Sequence, residues 1–513
     1  MQTAPHTGAD LFGKTPLPER LLTCFIVVLL VLASTFVMLA GASPEFSWDE
    51  ADYLSSIDNS WRILWSHADY CRHGHGPLLI YLAKLGHELL PAGMGSLESR
   101  LRFFDALVAS FAVGLIYGSL RHIFKTSRGA ALVGASLFLF SGSRVEETNI
   151  IGPHGLMVVC TVALVTLGYH WRNKPSVVAA LGLAALLAYG ALTMSYVIPL
   201  AVGWAFAVCV AGRGWFGIER DHFKISWFVP LMAAAAGLFF VILWPAGANP
   251  RTYPKDFLAF VFFPNHCALV GNAFYEVTPR WAALFWMANL DPVLLLVSVL
   301  ILALFGWKAF HGLALTSRHV YLAAFVFYLF ATSMTAHLAG ARNILQFLGV
   351  LSLVIGALFD EALGDKPRLS GVCSLAVVVL SALSLLYVVR YSSYTPFLAT
   401  DGYQACLKEN RERMSEKVGA IVSGVPILNF YSANAGVPVA WNVHELPCIS
   451  TRLEVPLPLD IKYVLIPSSI YEGMPPDETM RRVVAKSWKV VWSFKTDRAW
   501  ELRLYERPGN TSP

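Results

Sequence analysis

Residues 21–43, LLTCFIVVLLVLASTFVMLAGAS, form an uncharged apolar run, and the polar stretch 44–54, PEFSWDEADYL, follows it directly. The run is long enough to cross the ~30 Å hydrocarbon core of a bilayer as one helix. It ends in Ala40-Gly41-Ala42, which resembles a signal-peptidase site, but it is longer than the ~7–15 residues of a signal's apolar region. We therefore expect it to remain as the first membrane span.

The same pattern recurs along the chain. Of the 513 residues, 56% are hydrophobic and only 14% are charged, whereas soluble domains carry about 25% charged residues. Further apolar runs bring the predicted total to about eleven spans. We place the others at 103–124, 129–142, 153–171, 176–192, 195–212, 227–244, 291–307, 319–336, 343–359 and 371–389. The composition therefore predicts a polytopic α-helical membrane protein.

Basic residues predict the orientation. On one side of the predicted spans every short loop carries at least two Lys or Arg residues, as in 213–224 and 366–368. Cytoplasmic loops show this excess, so the large loops 44–102 and 245–290 should lie outside the plasma membrane, the inner membrane of a bacterium. The net charge of +5 reflects this distribution and does not indicate nucleic-acid binding. An odd number of spans places the tail outside as well.

The chain divides into a transmembrane domain, residues 1–390, and an extracytoplasmic soluble α/β domain, residues 391–513. In the tail we predict helices over 409–422 and 477–486, strands over 425–431 and 462–466, and a hairpin formed by 490–495 and 500–506. Because disulfides form outside the cytoplasm, two cysteine pairs are candidates. These are Cys406–Cys448 and Cys71–Cys267.

The side chains with chemical potential lie mostly in the loops. Ionisable residues are scarce within the spans, where pumps and ion-coupled carriers usually hold them. Asp49 follows the first span closely, at the depth where a lipid-linked substrate presents its polar head, and a carboxylate there can act as a general base. A solvated acidic flank is the simpler alternative. The densest polar stretches of the first outer loop are Trp48-Asp49-Glu50-Ala51, Arg72-His73-Gly74-His75-Gly76-Pro77 and Glu98-Ser99-Arg100-Leu101-Arg102.

These motifs resemble the first outer loop of GT-C fold glycosyltransferases that use lipid-phosphosugar donors. The resemblance is to the family 39 type, which includes protein O-mannosyltransferases and aminoarabinose–lipid A transferases. The order, spacing and predicted side of the motifs agree with that family. Over residues 20–360 the resemblance rests on Trp48–Ala51, His75–Leu82, Glu98–Arg102, Trp281–Leu296 and Arg342-Asn343-Ile344-Leu345.

The resemblance implies transfer of a sugar from a polyprenyl-phosphate donor to a lipid, glycan or protein acceptor, with inversion of the anomeric carbon. It implies that Asp49 activates the acceptor and that Glu50 orients it or binds substrate. Because polyprenyl phosphate leaves as an anion, a planar guanidinium suits it. Arg342 is the first candidate for this role and Arg102 the second, while His75 is a further candidate for substrate binding.

The chain departs from the family pattern at His154, where relatives often carry an aspartate before the fourth span. Glu146 and Glu147 lie a few residues earlier and are candidates for the missing acid. Some GT-C enzymes hold a divalent metal ion and others work without one, so no cofactor is certain. Glu98 and His266 are candidates for metal ligands because a carboxylate and an imidazole are suitable donors.

Three functions are consistent with the sequence. The first is a membrane glycosyltransferase, either a hexosyl- or a pentosyltransferase, and the order of the outer-loop motifs favours it. The second is a catalytically silent GT-C relative that acts as a binding or assembly subunit, which the departure at His154 keeps open. The third is a lipid or glycan carrier, which should show ionisable or helix-breaking residues in paired spans.

Overall fold

Most of the predicted spans coincide with helices. All but one of the predicted runs overlap a helix bounded below, and in the remaining run, 227–244, the described residues 231–232, 234–236 and 238 are helical. A computed structural model of the chain describes residues 17–40, 54, 57–66, 77–148, 151–194, 197–211, 231–232, 234–236, 238, 268–270, 273–275, 279–312, 315–335, 344–391, 402–413, 418–420, 431, 462–467, 487–495 and 501–508.

The described part of the chain is mostly helical, and its long apolar helices pack into one bundle. In chain order the helices are α1 (Leu17–Leu39), α2 (Trp61–Ser66), α3 (Leu78–Leu89), α4 (Leu97–His122), α5 (Arg128–Leu139), α6 (Gly142–Thr148), α7 (Pro153–Asn173), α8 (Val177–Thr193), α9 (Val197–Ala211), α10 (Ala282–Leu290), α11 (Pro292–Phe310), α12 (Ser317–Thr335), α13 (Leu345–Leu363), α14 (Pro367–Tyr391) and α15 (Tyr403–Glu409). Within the described residues, six are long and apolar enough to cross a membrane, namely α1, α4, α7, α11, α13 and α14. Since others are shorter, the number of spans stays a prediction.

The centre of the bundle is the contact between α5 and α13. A Cβ atom added to Gly134 on α5 would lie 2.9 Å from the carbonyl oxygen of Ser352, and one added to Gly356 on α13 would lie 3.1 Å from that of Ala130. Small residues let membrane helices approach this closely. Helix α13 is correspondingly the most enclosed of the six, with 89% of its apolar window buried.

Ion pairs hold one end of the bundle together. We call the end where α4 and α7 finish the inner end, and the end where they begin the outer end. At the inner end the acids of α1, α13 and the following turn meet bases of neighbouring helices. The pairs are Glu19 with Arg121, Glu361 with Arg318, and Asp365 with Lys308, and His319 is hydrogen-bonded to Glu361.

The tail lies at the outer end. Helix α14 leads to it from the inner end, and Gln404 of α15 is hydrogen-bonded to Glu98 at the start of α4. Strands β1 (Ala268–Val270) and β2 (Ala273–Tyr275) form a separate antiparallel pair before α10. The tail contains a four-stranded sheet in the order β3 (Val418–Ala420), β4 (Tyr463–Pro467), β6 (Glu501–Glu506) and β5 (Lys489–Lys495).

Two of the tail predictions are confirmed and one is wrong. The strand predicted at 462–466 is β4, and the predicted hairpin strands are β5 and β6, which pair antiparallel. The helix predicted over 409–422 is wrong, because α15 ends at Glu409 and Val418–Ala420 forms β3, in parallel register with β4. Good helix formers precede this strand, but tertiary pairing overrides such propensity. The predicted elements at 425–431 and 477–486 lie almost entirely outside the described residues.

Candidate active site

The predicted site residues fall into three groups in the structure. Glu98, Arg102 and His154 are described with their side chains. Glu146 and Glu147 lie on α6, and of these two residues the backbone alone is described. The predictions for the remaining site residues lie outside the described part of the chain, and they concern Asp49, Glu50, His75, His266 and Arg342.

The first turns of α4 carry a row of buried charged side chains. Ser96 caps the helix, because its Oγ accepts the backbone N–H of Ser99 at 3.2 Å. Glu98 follows in the first turn, where the helix dipole stabilises a carboxylate. Glu98, Arg102 and Asp105 are spaced four and three residues apart and therefore project from one helix face. They are only 7%, 5% and 8% exposed, which makes this face a buried charged surface at the outer end.

The tail covers part of this surface. The side-chain amide of Gln404 donates a hydrogen bond from Nε2 to Oε1 of Glu98 at 3.3 Å. Around it, one apolar cluster combines Leu101 of α4 and Leu79 of α3 with Tyr403 and Leu504 of the tail. The tail, the first outer loop and the outer end of α4 therefore pack as one unit.

An apolar recess lies beside the charged surface. It opens between α3, α4 and the start of α7, and Asp105 is the one charged residue on its described walls. Ile151 and Leu156 contribute to the wall from the second outer loop and α7. His154, 8% exposed, lies between these two residues in the chain. The recess and the candidate residues are therefore neighbours along the chain: Leu101 on its wall precedes Arg102, and His154 lies between the wall residues Ile151 and Leu156.

Helix α3 is anchored to the preceding part of the first outer loop. The ammonium group of Lys84, 6% exposed, donates to the carbonyl oxygen of Ile57 at 3.1 Å. It also pairs with Glu88 at 3.2 Å, and the indole N–H of Trp61 donates to the same carboxylate at 2.8 Å. These contacts lower the pKa of Glu88, with the Trp61 hydrogen bond as the largest cause. The loop therefore has a defined polar framework around α3.

Asp105, Arg144 and Asp291 are buried charged residues of the described part that were not among the predicted site residues. Asp105 follows Arg102 by one turn of α4, and its burial depends on α3 and α7 packing against it. Arg144 and Asp291 are 1% and 3% exposed at the outer end. The sequence carries a signal for Asp291, because Asp before Pro is typical of a helix start. For Arg144 the signal is weaker: the polar break Ser141–Arg144 between two apolar runs.

Metal binding stays a prediction. Among the described residues no three His, Cys, Asp or Glu side chains lie close enough together to hold a metal ion. Glu98 is the described member of the proposed donor set, and one of its oxygens accepts the Gln404 hydrogen bond. Its predicted companion, His266, lies outside the described part.

Solved structures show which fold this arrangement belongs to. ArnT from Cupriavidus metallidurans, bound to undecaprenyl phosphate, is 12% identical and has a TM-score of 0.52 over 96% of this chain and 98% of ArnT. The apo oligosaccharyltransferase of Archaeoglobus fulgidus is 14% identical and has a TM-score of 0.57 over 88% of this chain and 70% of that one. The chain has the GT-C fold. This confirms the fold class expected from the outer-loop motifs.

The GT-C fold and the apolar helices together make the chain a multi-pass integral membrane protein. No family model matches the chain, and no curated protein matches it in sequence. Identities of 12% to 14% show the fold alone. The activity depends on the residues of the site, because one fold can carry many different functions.

Proposed function

We propose that this GT-C fold protein is a membrane glycosyltransferase that transfers a sugar from a polyprenyl-phosphate donor to an acceptor, with inversion. The observation that carries the proposal is the buried charged face of α4, formed by Glu98, Arg102 and Asp105. The planar guanidinium of Arg102 on this face suits the phosphate group of such a donor. The shared fold with ArnT, whose structure holds undecaprenyl phosphate, supports the same ligand class.

We propose that the outer end faces the extracytoplasmic side of the bacterial inner membrane. Basic residues such as Arg121, Arg128 and Lys308 lie at the inner end, and positive charge favours the cytoplasmic side. The donor head group and the tail would then meet outside the cytoplasm.

In the proposed reaction Asp49 is the general base. The acceptor oxygen or nitrogen forms a bond to the anomeric carbon while Asp49 takes the proton from that atom. The bond between the anomeric carbon and the phosphate oxygen breaks, and its electron pair leaves with polyprenyl phosphate. Attack opposite the leaving group inverts the anomeric carbon. Glu50 is proposed to orient the acceptor.

Arginines are proposed to stabilise the leaving phosphate. Arg102 is 5% exposed, and a guanidinium removed from bulk water interacts more strongly with an anion than an exposed one does. Arg342 is proposed as its partner. The remaining candidates, His75, Glu146, Glu147 and His154, are proposed to bind the sugar or the acceptor.

The test is transfer in membranes from a panel of radiolabelled polyprenyl-phosphate hexoses and pentoses. We expect Asp49→Asn to lower transfer by at least about 100-fold, because general bases contribute roughly 10²–10⁴-fold. Asp58→Asn is the matched control: it makes the same change in the same loop, at a side chain 76% exposed, and should leave transfer unchanged. Equal transfer by wild type and Asp49→Asn would contradict the assignment of the base.

A second pair of variants tests the phosphate contact. Arg102→Met is expected to reduce transfer strongly. The control is Arg100→Met, two residues away, where the guanidinium is bonded to the carbonyl oxygen of Leu90 at 2.7 Å. Failure of the wild type to transfer from any donor, in membranes that contain candidate acceptors, would overturn the enzyme proposal and favour a silent binding subunit.

A further inference from the structure

A second polar cluster is buried at the outer end, around Arg144 of α6. The guanidinium of Arg144 donates to the carbonyl oxygen of Leu139 at 2.8 Å and to the Oγ of Ser34, and it contacts the sulfur of Met38. Ser34 in turn donates to the Oγ of Ser110 at 2.7 Å. One side chain thus connects the end of α5 with the outer end of α1 and, through Ser110, with the middle of α4.

The turn between α5 and α6 is also fixed to the junction of α10 and α11. Ser143 donates its hydroxyl to Oδ2 of Asp291, which precedes α11. Gly142 packs so closely that an added Cβ would lie 2.3 Å from the carbonyl oxygen of Leu290. Because α10 and α11 cannot move without this turn, their junction has a defined position relative to Arg144.

This cluster lies where three outer loops meet the bundle. Helix α1 ends one residue after Met38, and the loop that carries Asp49 begins there. Helix α6 carries Glu146 and Glu147 into the second outer loop, and α10 closes the third. The loops that hold most of the predicted site residues are therefore attached to a common polar anchor.

Burying a guanidinium is unfavourable unless its donors find acceptors. The described acceptors of Arg144 are a carbonyl and hydroxyl groups, with the Phe138 ring face 5.5 Å away. Desolvation lowers the pKa of Arg144 to about 9, so the side chain is still charged at neutral pH. A methionine of similar volume would avoid the desolvation, but it would not link α1 to α4 and α5 by hydrogen bonds.

We infer that Arg144 is a positioning residue for the proposed transfer, holding the outer end of α1, and with it Asp49, in register with the second outer loop. The inference rests on the proposed function. Arg144 is 1% exposed and contacts the outer end of α1, the end of α5 and the middle of α4, so it acts through the loops and not on the substrate. A misplacement of reacting groups by 1 Å can cost on the order of 100-fold in rate.

The first experiment compares Arg144→Met and Arg144→Lys with Arg172→Met. Arg172 is a matched control because it is 3% exposed and bonded to the carbonyl oxygen of Ala211 at 3.2 Å, but it lies at the inner end. Thermal midpoints in detergent should fall for both methionine variants. Per folded molecule, Arg144→Met should lose kcat by about 100-fold with little change in the donor KM.

Two further results are expected from these variants. Arg144→Lys should recover most of the kcat, because an ammonium group can still donate to Leu139 and Ser34, and Arg172→Met should keep it. A wild-type kcat in Arg144→Met, or an equal loss in Arg172→Met, would overturn the inference.

The second experiment does not depend on transfer. Asp49→Cys is labelled with a membrane-impermeant maleimide, with and without Arg144→Met, and labelling of the native cysteines is measured in the parent protein. We expect Arg144→Met to change the labelling rate of Cys at position 49, and Arg172→Met to leave it unchanged. An unchanged rate in both variants would refute positioning by Arg144. If the wild type transferred from no donor, the proposed function would fail while this measurement still decided the inference.

Discussion

A single methyl group at Gly142 is expected to destabilise the protein. Its Cβ would lie 2.3 Å from the carbonyl oxygen of Leu290, 3.1 Å from the carbonyl carbon, and 3.1 Å from Cγ1 of Val388. Non-bonded heavy atoms prefer separations near ~3.5 Å, so the backbone of Leu290 would have to move by about 1 Å. A backbone carbonyl cannot turn away as a flexible side chain can, and Gly142→Ala therefore strains the contact between α6 and α10.

The size of this effect follows from two opposing contributions. Overpacking of a close contact costs about 1–3 kcal/mol. Replacing glycine by alanine inside a helix stabilises it by up to about 1 kcal/mol, and the gain is smaller at the first residue of α6. We therefore expect Gly142→Ala to lower the free energy of unfolding by about 1–2 kcal/mol.

The assay is unfolding of the purified protein in mixed micelles with increasing sodium dodecyl sulfate, followed by tryptophan fluorescence. Gly118→Ala on α4 and Gly306→Ala on α11 are the controls, because an added Cβ meets no atom within 4 Å at either position. These variants should be as stable as the wild type or more stable. The reasoning would be refuted if Gly142→Ala changed stability in the same direction and by the same amount as the controls.

Two other predictions concern Asp291 and the contact between the tail and α4. Burial raises the pKa of Asp291 from 3.8 to about 6, so the folded state binds this proton more tightly than the unfolded state does. The stability that this group contributes therefore falls by about 1 kcal/mol from pH 5 to pH 7. In Asp291→Asn this part of the pH dependence should disappear, and parallel pH profiles of the thermal midpoint in wild type and variant would contradict the prediction. For Gln404 and Glu98, a double-mutant cycle with Gln404→Ala and Glu98→Ala should give a coupling free energy of about 0.5–1.5 kcal/mol. Lys408→Ala, an exposed change on the same helix, should show no coupling with Glu98→Ala, and equal coupling in both cycles would argue against the contact.

The membrane-spanning helices could be predicted from the sequence because the bilayer imposes a local rule. A helix that crosses hydrocarbon needs about 20 apolar residues in succession, and the pattern is visible without knowledge of any neighbour. The pairing of β5 with β6 was predictable for a similar reason, since both strands lie within 489–506. The outer-loop motifs, read by resemblance, predicted the GT-C fold.

Contacts between distant parts of the chain decided where α5 ends and where β3 forms, and the local sequence pattern predicted neither. The predicted span 129–142 is a helix only to Leu139, because the following turn is held by Asp291 and Leu290 from far along the chain. The helix expected over 409–422 gives way to β3, because Val418–Ala420 finds a partner strand at Tyr463–Leu465.

The sequence by itself therefore determined the class of protein, the approximate membrane spans and the loops in which to look for chemistry. The tertiary structure alone decided that Glu98, Arg102 and Asp105 are buried together and that Gln404 of the tail bonds to Glu98. It also decided that Arg144 joins the outer end of α1 and the end of α5 to the middle of α4. The physical reason is the range of the interactions. Burial and hydrogen bonding depend on residues such as Glu98 and Gln404, which lie 306 positions apart in the chain and meet only when the bundle and the tail are assembled.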